Sequence, residues 1–128
     1  MSSRRKTAAK PGRKPGPKEE VAVQDVRVAI LHYSSPPVVG GVEFIIEAHA
    51  RLLTERGYRT HLIVGEGGAA QQGVTVDVIP EIGSDGGPIR ETVEALMQGT
   101  VPDDFERVVD RVEKKILKAL EGIDVCIM

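Results

Sequence analysis

The residues best suited to hold a ligand are two adjacent glycines, Gly40 and Gly41, which stand just before a helical pattern. Glycine has no Cβ atom, so ligand atoms can approach its main chain closely. The free N–H groups of the following helix favour negative charge at the same place. Pro36 and Pro37 stiffen the approach and reduce the entropy lost on binding. The loop at residues 34–41 is therefore suited to an anion or a polyol, unless the double glycine only lets the helix pack closely on the preceding strand.

The elements around this loop predict a β–α–β unit over residues 27–64. A short apolar run at residues 27–33 is typical of a central parallel strand that is covered on both faces. An apolar face at helical spacing then continues to about Arg56, and Gly57 ends the helix in a left-handed conformation. Residues 60–64 form the second strand.

The rest of the chain continues the alternation of strands and helices. The pattern predicts a third strand at residues 74–79, a loop at 81–87, helices at 88–97 and from Pro102, and a fourth strand at 123–128, inside which the chain stops. The fold class predicted is α/β, a partial Rossmann-like, doubly wound parallel sheet of about four strands. Such sheets bind ligands where the strand order reverses, which is at residues 33–41 if the second and fourth strands flank the first.

Other residues that could do chemistry give weaker signals. The three histidines are far apart in sequence and lack ligand spacing, so no metal site is predicted. His32 is expected to be buried and hydrogen-bonded, His49 to lie in the core or an interface, and His61 to be structural. Cys126, in an apolar strand, is expected to be a small buried hydrophobe. The loop at 81–87 could cover a bound substrate, or it could be an ordinary flexible connection.

Charge and composition limit the function further. Residues 1–20 hold seven Lys or Arg and two Glu, whereas residues 21–128 hold ten basic and seventeen acidic residues. Residues 1–20 are predicted to be a disordered basic tail, either a solvated segment or a hook for the minor groove of DNA. The acidic remainder is a poor nucleic-acid surface, so no specific nucleic acid is expected. No apolar run is long enough for a signal peptide or a membrane span, which makes a cytoplasmic protein the default and leaves peripheral membrane contact open.

Known nucleotide-binding patterns are absent, but a different resemblance is present. No G-x-G-x-x-G follows the first strand, and no G-x-x-x-x-G-K-[ST] occurs in the chain. Residues 28–43 (VAILHYSSPPVVGGVE) and 52–64 (LLTERGYRTHLIV) resemble the opening of the family-4 retaining glycosyltransferases. VIPEI at 78–82, PDDF at 102–105 and IDVCIM at 123–128 extend that resemblance over nearly all of residues 26–128.

The resemblance implies a fold and a set of roles. Members of this family have two Rossmann-like domains that face a cleft, the GT-B fold. Residues 21–128 would be an incomplete first domain, which mainly binds the acceptor. Gly40 and Gly41 would line the substrate loop that meets the acceptor and the diphosphate of the nucleotide-sugar donor. Glu43 matches the family's usual G-G-x-E, although an acidic residue there also favours the start of a helix.

The same resemblance implies that most of the enzyme lies outside these residues. The family's second domain holds most of the nucleotide-sugar site and an acidic catalytic motif, so the catalytic residues stay unknown. This chain alone is expected to be inactive. No cofactor is expected, because the nucleotide sugar is a substrate, and the partners implied are that donor and a sugar or polyol acceptor. The alternative is a stand-alone α/β binding or interaction module whose basic tail contacts nucleic acid or another anion.

Overall fold

The computed structural model describes residues 22–128, so the prediction of a disordered tail at residues 1–20 lies outside the described residues. It contains four strands and three α-helices in the predicted alternating order. The strands are β1 (Arg27–Ser34), β2 (Arg59–Glu66), β3 (Val74–Val78) and β4 (Val125–Ile127). The helices are α1 (Gly41–Glu55), α2 (Arg90–Met97) and α3 (Phe105–Ala119).

All four strands are parallel and lie in the order β3-β2-β1-β4. β1 pairs with β2 from Arg27↔Arg59 to Ser34↔Glu66, but it pairs with β4 only from Val28 to Ile30. Two hydrogen bonds between Arg27 and Asp124 fix the start of β4 against the start of β1. The Arg27 N–H donates to Asp124 Oδ2 at 2.8 Å, and the Asp124 N–H donates to the Arg27 carbonyl at 2.9 Å. The predicted α/β class and parallel sheet are confirmed.

Apolar side chains cover both faces of the sheet, as the continuous apolar run of β1 predicted. On one face Ile30, Leu62 and Val64 pack against Ile46 and Ala50 of α1. On the other face a second cluster unites strand residues with α3 and its flanks, and comprises Ala29, Leu31, Ile63, Ile79, Ile82, Ile116, Ala119, Leu120 and Ile123. Successive residues of a strand point to opposite faces, so neighbours such as Leu62 and Ile63 serve different layers. Both side chains are fully buried.

The ends of the elements differ in detail from the sequence prediction. Gly57 has a φ of 89° and ends α1 as expected. The segment at 81–87 is not an irregular loop, because 3-10 turns form at Pro80–Ile82 and at Gly87–Ile89. α3 begins at Phe105, three residues after the expected start, since Pro102 accepts a turn hydrogen bond from the Phe105 N–H.

The prediction that Cys126 is buried was wrong. Cys126 is exposed, and so are the other two residues of β4. β4 is an edge strand whose one neighbour among the described residues is β1, so its far side and its faces receive little cover. None of the described helices has the length and the apolar character needed to cross a membrane.

Candidate functional site

The strand order places the reversal point at the carboxyl end of β1. From β1 the chain proceeds outward to β2 and β3, and it then returns to place β4 on the other side of β1. β4 stops opposite Ile30, so the last residues of β1 extend beyond it toward the loop that contains Gly40 and Gly41. Open parallel sheets bind ligands at such a reversal. The reversal lies where the sequence predicted it.

A buried hydrogen bond joins the end of β1 to the first turn of α1. The Ser34 hydroxyl donates to Glu43 Oε1 at 2.5 Å. Ser34 is 1% exposed and Glu43 is 7% exposed, so the Glu43 carboxylate is turned inward beneath the start of the helix. Glu43 was predicted at the helix start, but its burial was not predicted. A carboxylate in the first turn is favoured by the helix dipole, and here the hydroxyl adds a direct partner.

This arrangement lowers the pKa of Glu43 below its ordinary value. The largest cause is the hydrogen bond from Ser34, and the Glu43 main-chain N–H and the nearby His32 act in the same direction, against the opposing effect of burial. The half-buried His32 ring lies on the same strand end. Its Nδ1 is 3.1 Å from the Ser34 carbonyl oxygen and 3.3 Å from the Ser34 amide nitrogen. The expected hydrogen-bonded His32 is therefore present, with partial burial.

The two predicted site residues have different surroundings. A Cβ at Gly40 would lie 2.1 Å from Glu43 Oε2, so the glycine leaves the space that the inward carboxylate occupies. A Cβ at Gly41 would meet no atom within 4 Å among the described residues. Within residues 22–128 no main-chain carbonyl accepts a hydrogen bond from the N–H groups of Gly40, Gly41 or Val42. Gly40 thus has an internal packing role, whereas the edge at Gly41 is open to a ligand.

Ser35 connects this loop to the loop that follows β2. Its side chain is fully buried, its N–H donates to the Glu66 carbonyl at 3.0 Å, and its Oγ accepts from the Gly68 N–H at 2.8 Å. The Pro36 carbonyl accepts from the Ala69 N–H at 2.9 Å. These bonds hold the two loops together as one wall of the site.

The segment at 81–87 is attached to the same end of the sheet. Glu66 Oε1 accepts hydrogen bonds from the Ser84 N–H at 2.7 Å and from the Ser84 hydroxyl at 2.5 Å. A Cβ on Gly65 would lie 2.0 Å from the Gly83 main-chain nitrogen, so the two backbones are in direct contact. The two alternatives for this segment, a cover over a substrate and an ordinary flexible connection, both stay predictions.

The remaining titratable residues named from the sequence do not converge on the site. His49 is exposed on α1, which contradicts a core position, because it lies beside a shallow groove next to Ile127 rather than on the face that packs against the sheet. His61 is half-buried in β2 and lies in a groove with Asp77 and Lys118 at the α3 face. Among residues 22–128, no three His, Cys, Asp or Glu side chains come close enough together to hold a metal ion.

Three features of this loop were not predicted: the linking roles of Ser34 and Ser35, and the inward position of the Glu43 carboxylate. The spacing of Gly40 and Glu43 does carry a signal, since an N-cap residue followed three positions later by Glu often marks a helix start. The serines gave none, because Ser before Pro-Pro is common in turns. Comparisons with protein-family models, with curated proteins and with solved structures found no match.

Proposed function

We propose that this chain is the acceptor-side part of a retaining glycosyltransferase that uses a nucleotide-sugar donor. The observation that carries the proposal is the open edge at Gly41, located where the strand order reverses, with N–H groups at the start of α1 that have no main-chain acceptor within residues 22–128. The resemblance of residues 26–128 to the family-4 enzymes supplies the reaction class. In this proposal Gly40 shapes the turn and Gly41 receives substrate oxygens.

The proposal assigns no catalytic residue to this chain. The opposing wall of the cleft, which would hold most of the donor, belongs to a second domain in the full enzyme. The nucleotide sugar is a substrate, so no cofactor is required. The place of action in this proposal is the cytoplasm, where nucleotide sugars would be available. The purified 128-residue chain is expected to transfer no sugar, and detectable transfer would overturn that expectation.

Backbone amide NMR tests the proposed site directly. Titration with UDP-glucose and with methyl glucoside should move the amide signals of Gly41 and Val42, with weak dissociation constants, roughly millimolar, because only one wall of the cleft is present. Gly41→Val places a branched side chain in the open space and should weaken binding by about tenfold. Ala70→Val, at an exposed position of the β2–β3 loop, is the matched control and should bind normally.

Three results would count against this function. If neither ligand moves the Gly41 and Val42 signals, the open edge is a packing feature and not a substrate loop. If Gly41→Val and Ala70→Val bind alike, the ligand lies elsewhere on the surface. Binding of DNA by the full chain, with no response to sugars, would favour the stand-alone binding module instead.

A further inference from the structure

Five exposed apolar residues surround the Gly40–Gly41 turn. Val39 is 98% exposed and Phe44 is 73% exposed, and the exposed fractions of the other three are between 36% and 50%. We call this set the apolar rim, and its members are Val38, Val39, Val42, Phe44 and Ile45. All five lie within eight consecutive residues around the open edge of Gly41.

The apolar rim is also uncharged. Residues 33–46 contain a single charged residue, Glu43, and its carboxylate is turned inward onto Ser34. Charged residues make up 28% of the whole chain, so the segment carries less charge than the chain average. A surface of this kind suits a ligand without charge, because nothing on the rim would compensate a charge brought against it.

Val39 and Phe44 of the apolar rim do not bury each other at the start of α1. With Gly40 as the N-cap of α1, Val39 and Phe44 occupy the two positions where apolar residues commonly pack on each other and fix the entry of the chain. Their exposed fractions show that the pair leaves most of its surface to solvent. This apolar area is therefore available to a binding partner.

We infer that the acceptor of this site is an amphiphile, with a hydroxyl-bearing head at Gly41 and a hydrocarbon chain on the apolar rim. This inference rests on the proposed function of the same loop. The N–H groups at Gly41 and Val42 can donate to hydroxyl oxygens, and the rim beside them takes the apolar part. One ligand thus accounts for both the polar edge and the uncharged apolar surface that borders it.

Two glucosides with the same head and different tails test the inference. The chain is titrated with methyl glucoside and with octyl glucoside, the latter below its critical micelle concentration, while amide and methyl NMR signals are followed. Both should move the Gly41 amide. Octyl glucoside should also move the methyl signals of Val39 and Val42, and it should bind about tenfold tighter or more, since each buried methylene adds to affinity.

Variants distinguish binding at the apolar rim from nonspecific hydrophobic binding elsewhere on the surface. Val39→Ser and Phe44→Ser should each remove most of the advantage of octyl glucoside and leave methyl glucoside binding unchanged. Val101→Ser is the matched control, because Val101 is 65% exposed but lies in the connection between α2 and α3. It should keep the full advantage. All three positions are exposed, so the variants should fold like the parent chain.

The possible failures are distinguishable. Equal affinities for the two glucosides, with the Gly41 amide moving in both, would overturn the amphiphile and leave the proposed function standing. Octyl glucoside that moves the rim but not Gly41 would overturn both, since the rim would then bind hydrocarbon without a sugar site. Equally tight binding to neutral phosphatidylcholine vesicles that carry no sugar would identify a membrane surface and overturn the amphiphilic acceptor.

Discussion

Ser34 Oγ and Glu43 Oε1 are 2.5 Å apart, and this contact joins the last residue of β1 to the first turn of α1. The nine-residue separation between the partners spans the whole glycine loop. Because both ends of the loop are fixed by one buried bond, the turn at Gly40–Gly41 has little freedom to collapse. The open edge is therefore held in place before a ligand arrives, which lowers the cost of binding.

The Ser34–Glu43 contact should make the free energy of unfolding depend on pH. The folded pKa of Glu43 is lowered from its ordinary value of 4.5, so the carboxylate stabilises the fold above that pH and loses its contribution as the pH falls through the lowered value. Glu43→Gln should therefore be less stable than the parent at about pH 7, with the difference shrinking at about pH 3. Urea unfolding across this range measures it. A difference that stays constant with pH would contradict the ionised contact.

Gly65→Ala should be strongly destabilising although it adds one methyl group. Its Cβ would lie 2.0 Å from the main-chain nitrogen of Gly83, and backbone cannot move aside as a flexible side chain can. We expect a loss of more than about 3 kcal/mol in the free energy of unfolding. Gly41→Ala is the matched control and should change stability by less than about 0.5 kcal/mol, since its Cβ would meet no atom within 4 Å from elsewhere in residues 22–128. Equal losses in urea unfolding would refute the backbone contact.

Truncating a side chain in the core under α1 should lower the free energy of unfolding much more than truncating an exposed one. Leu62 is fully buried between β2 and α1, so Leu62→Ala should lose about 2–5 kcal/mol of unfolding free energy. Leu117, on α3, is 57% exposed, and Leu117→Ala should lose less than about 1 kcal/mol. Thermal unfolding followed by circular dichroism would measure both variants. A small effect at Leu62 would mean that this layer is not packed as described.

The ion pair between Lys115 and Glu81 should contribute more to the free energy of unfolding than a pair between two exposed side chains. Glu81 is buried, and Lys115 holds the pKa of its carboxyl below the ordinary value. Lys115 Nζ donates to Glu81 Oε1, and within the described residues the buried Glu81 Oε2 has no hydrogen-bond partner. Lys115→Met should therefore lose about 1–2 kcal/mol, with the exposed part of Lys115 keeping the value at the low end.

Lys114→Met is the natural control for that variant. Lys114 pairs with Asp110 at 2.8 Å on the same helix, but both side chains are largely exposed. The loss expected there is smaller than for Lys115→Met, because solvent screens an exposed pair. If the two lysine variants unfold at the same denaturant concentration, the buried position of Glu81 contributes nothing to the pair.

Cys126 should behave as a free surface thiol. It is exposed on the edge strand β4, so Ellman's reagent should modify one thiol per chain in the native state at a rate similar to that in denaturant. Reaction only after denaturant is added would restore the buried position that the sequence predicted. An intermediate rate that depends on protein concentration would show that β4 is covered by association between chains.

The alternation of elements was predictable because apolar periodicity is a local signal. The run of β1, the apolar face of α1 and the left-handed Gly57 each follow from a few adjacent residues. The point where the strand order reverses was predictable from chain order, once β2 and β4 were expected on opposite sides of β1. These features need no knowledge of how distant side chains meet.

The features that the sequence analysis missed all depend on distant contacts. Glu43 resembles any acidic residue at a helix start until Ser34 is placed beneath it. Cys126 lies in an apolar strand, but burial depends on what covers that strand and not on its composition. The contact of Gly65 with Gly83 joins two glycines that each look like ordinary turn residues.

The paired bonds between Arg27 and Asp124 have a consequence for synthesis on the ribosome. β1, α1 and β2 can assemble as soon as Glu66 has emerged, whereas β4 joins β1 only after nearly the whole described chain has been made. At roughly 5–20 residues per second, the β4-facing edge of β1 stays uncovered for several seconds in every nascent chain. During that interval the uncovered edge can pair with other strands, and slow codons between residues 67 and 124 would prolong the exposure.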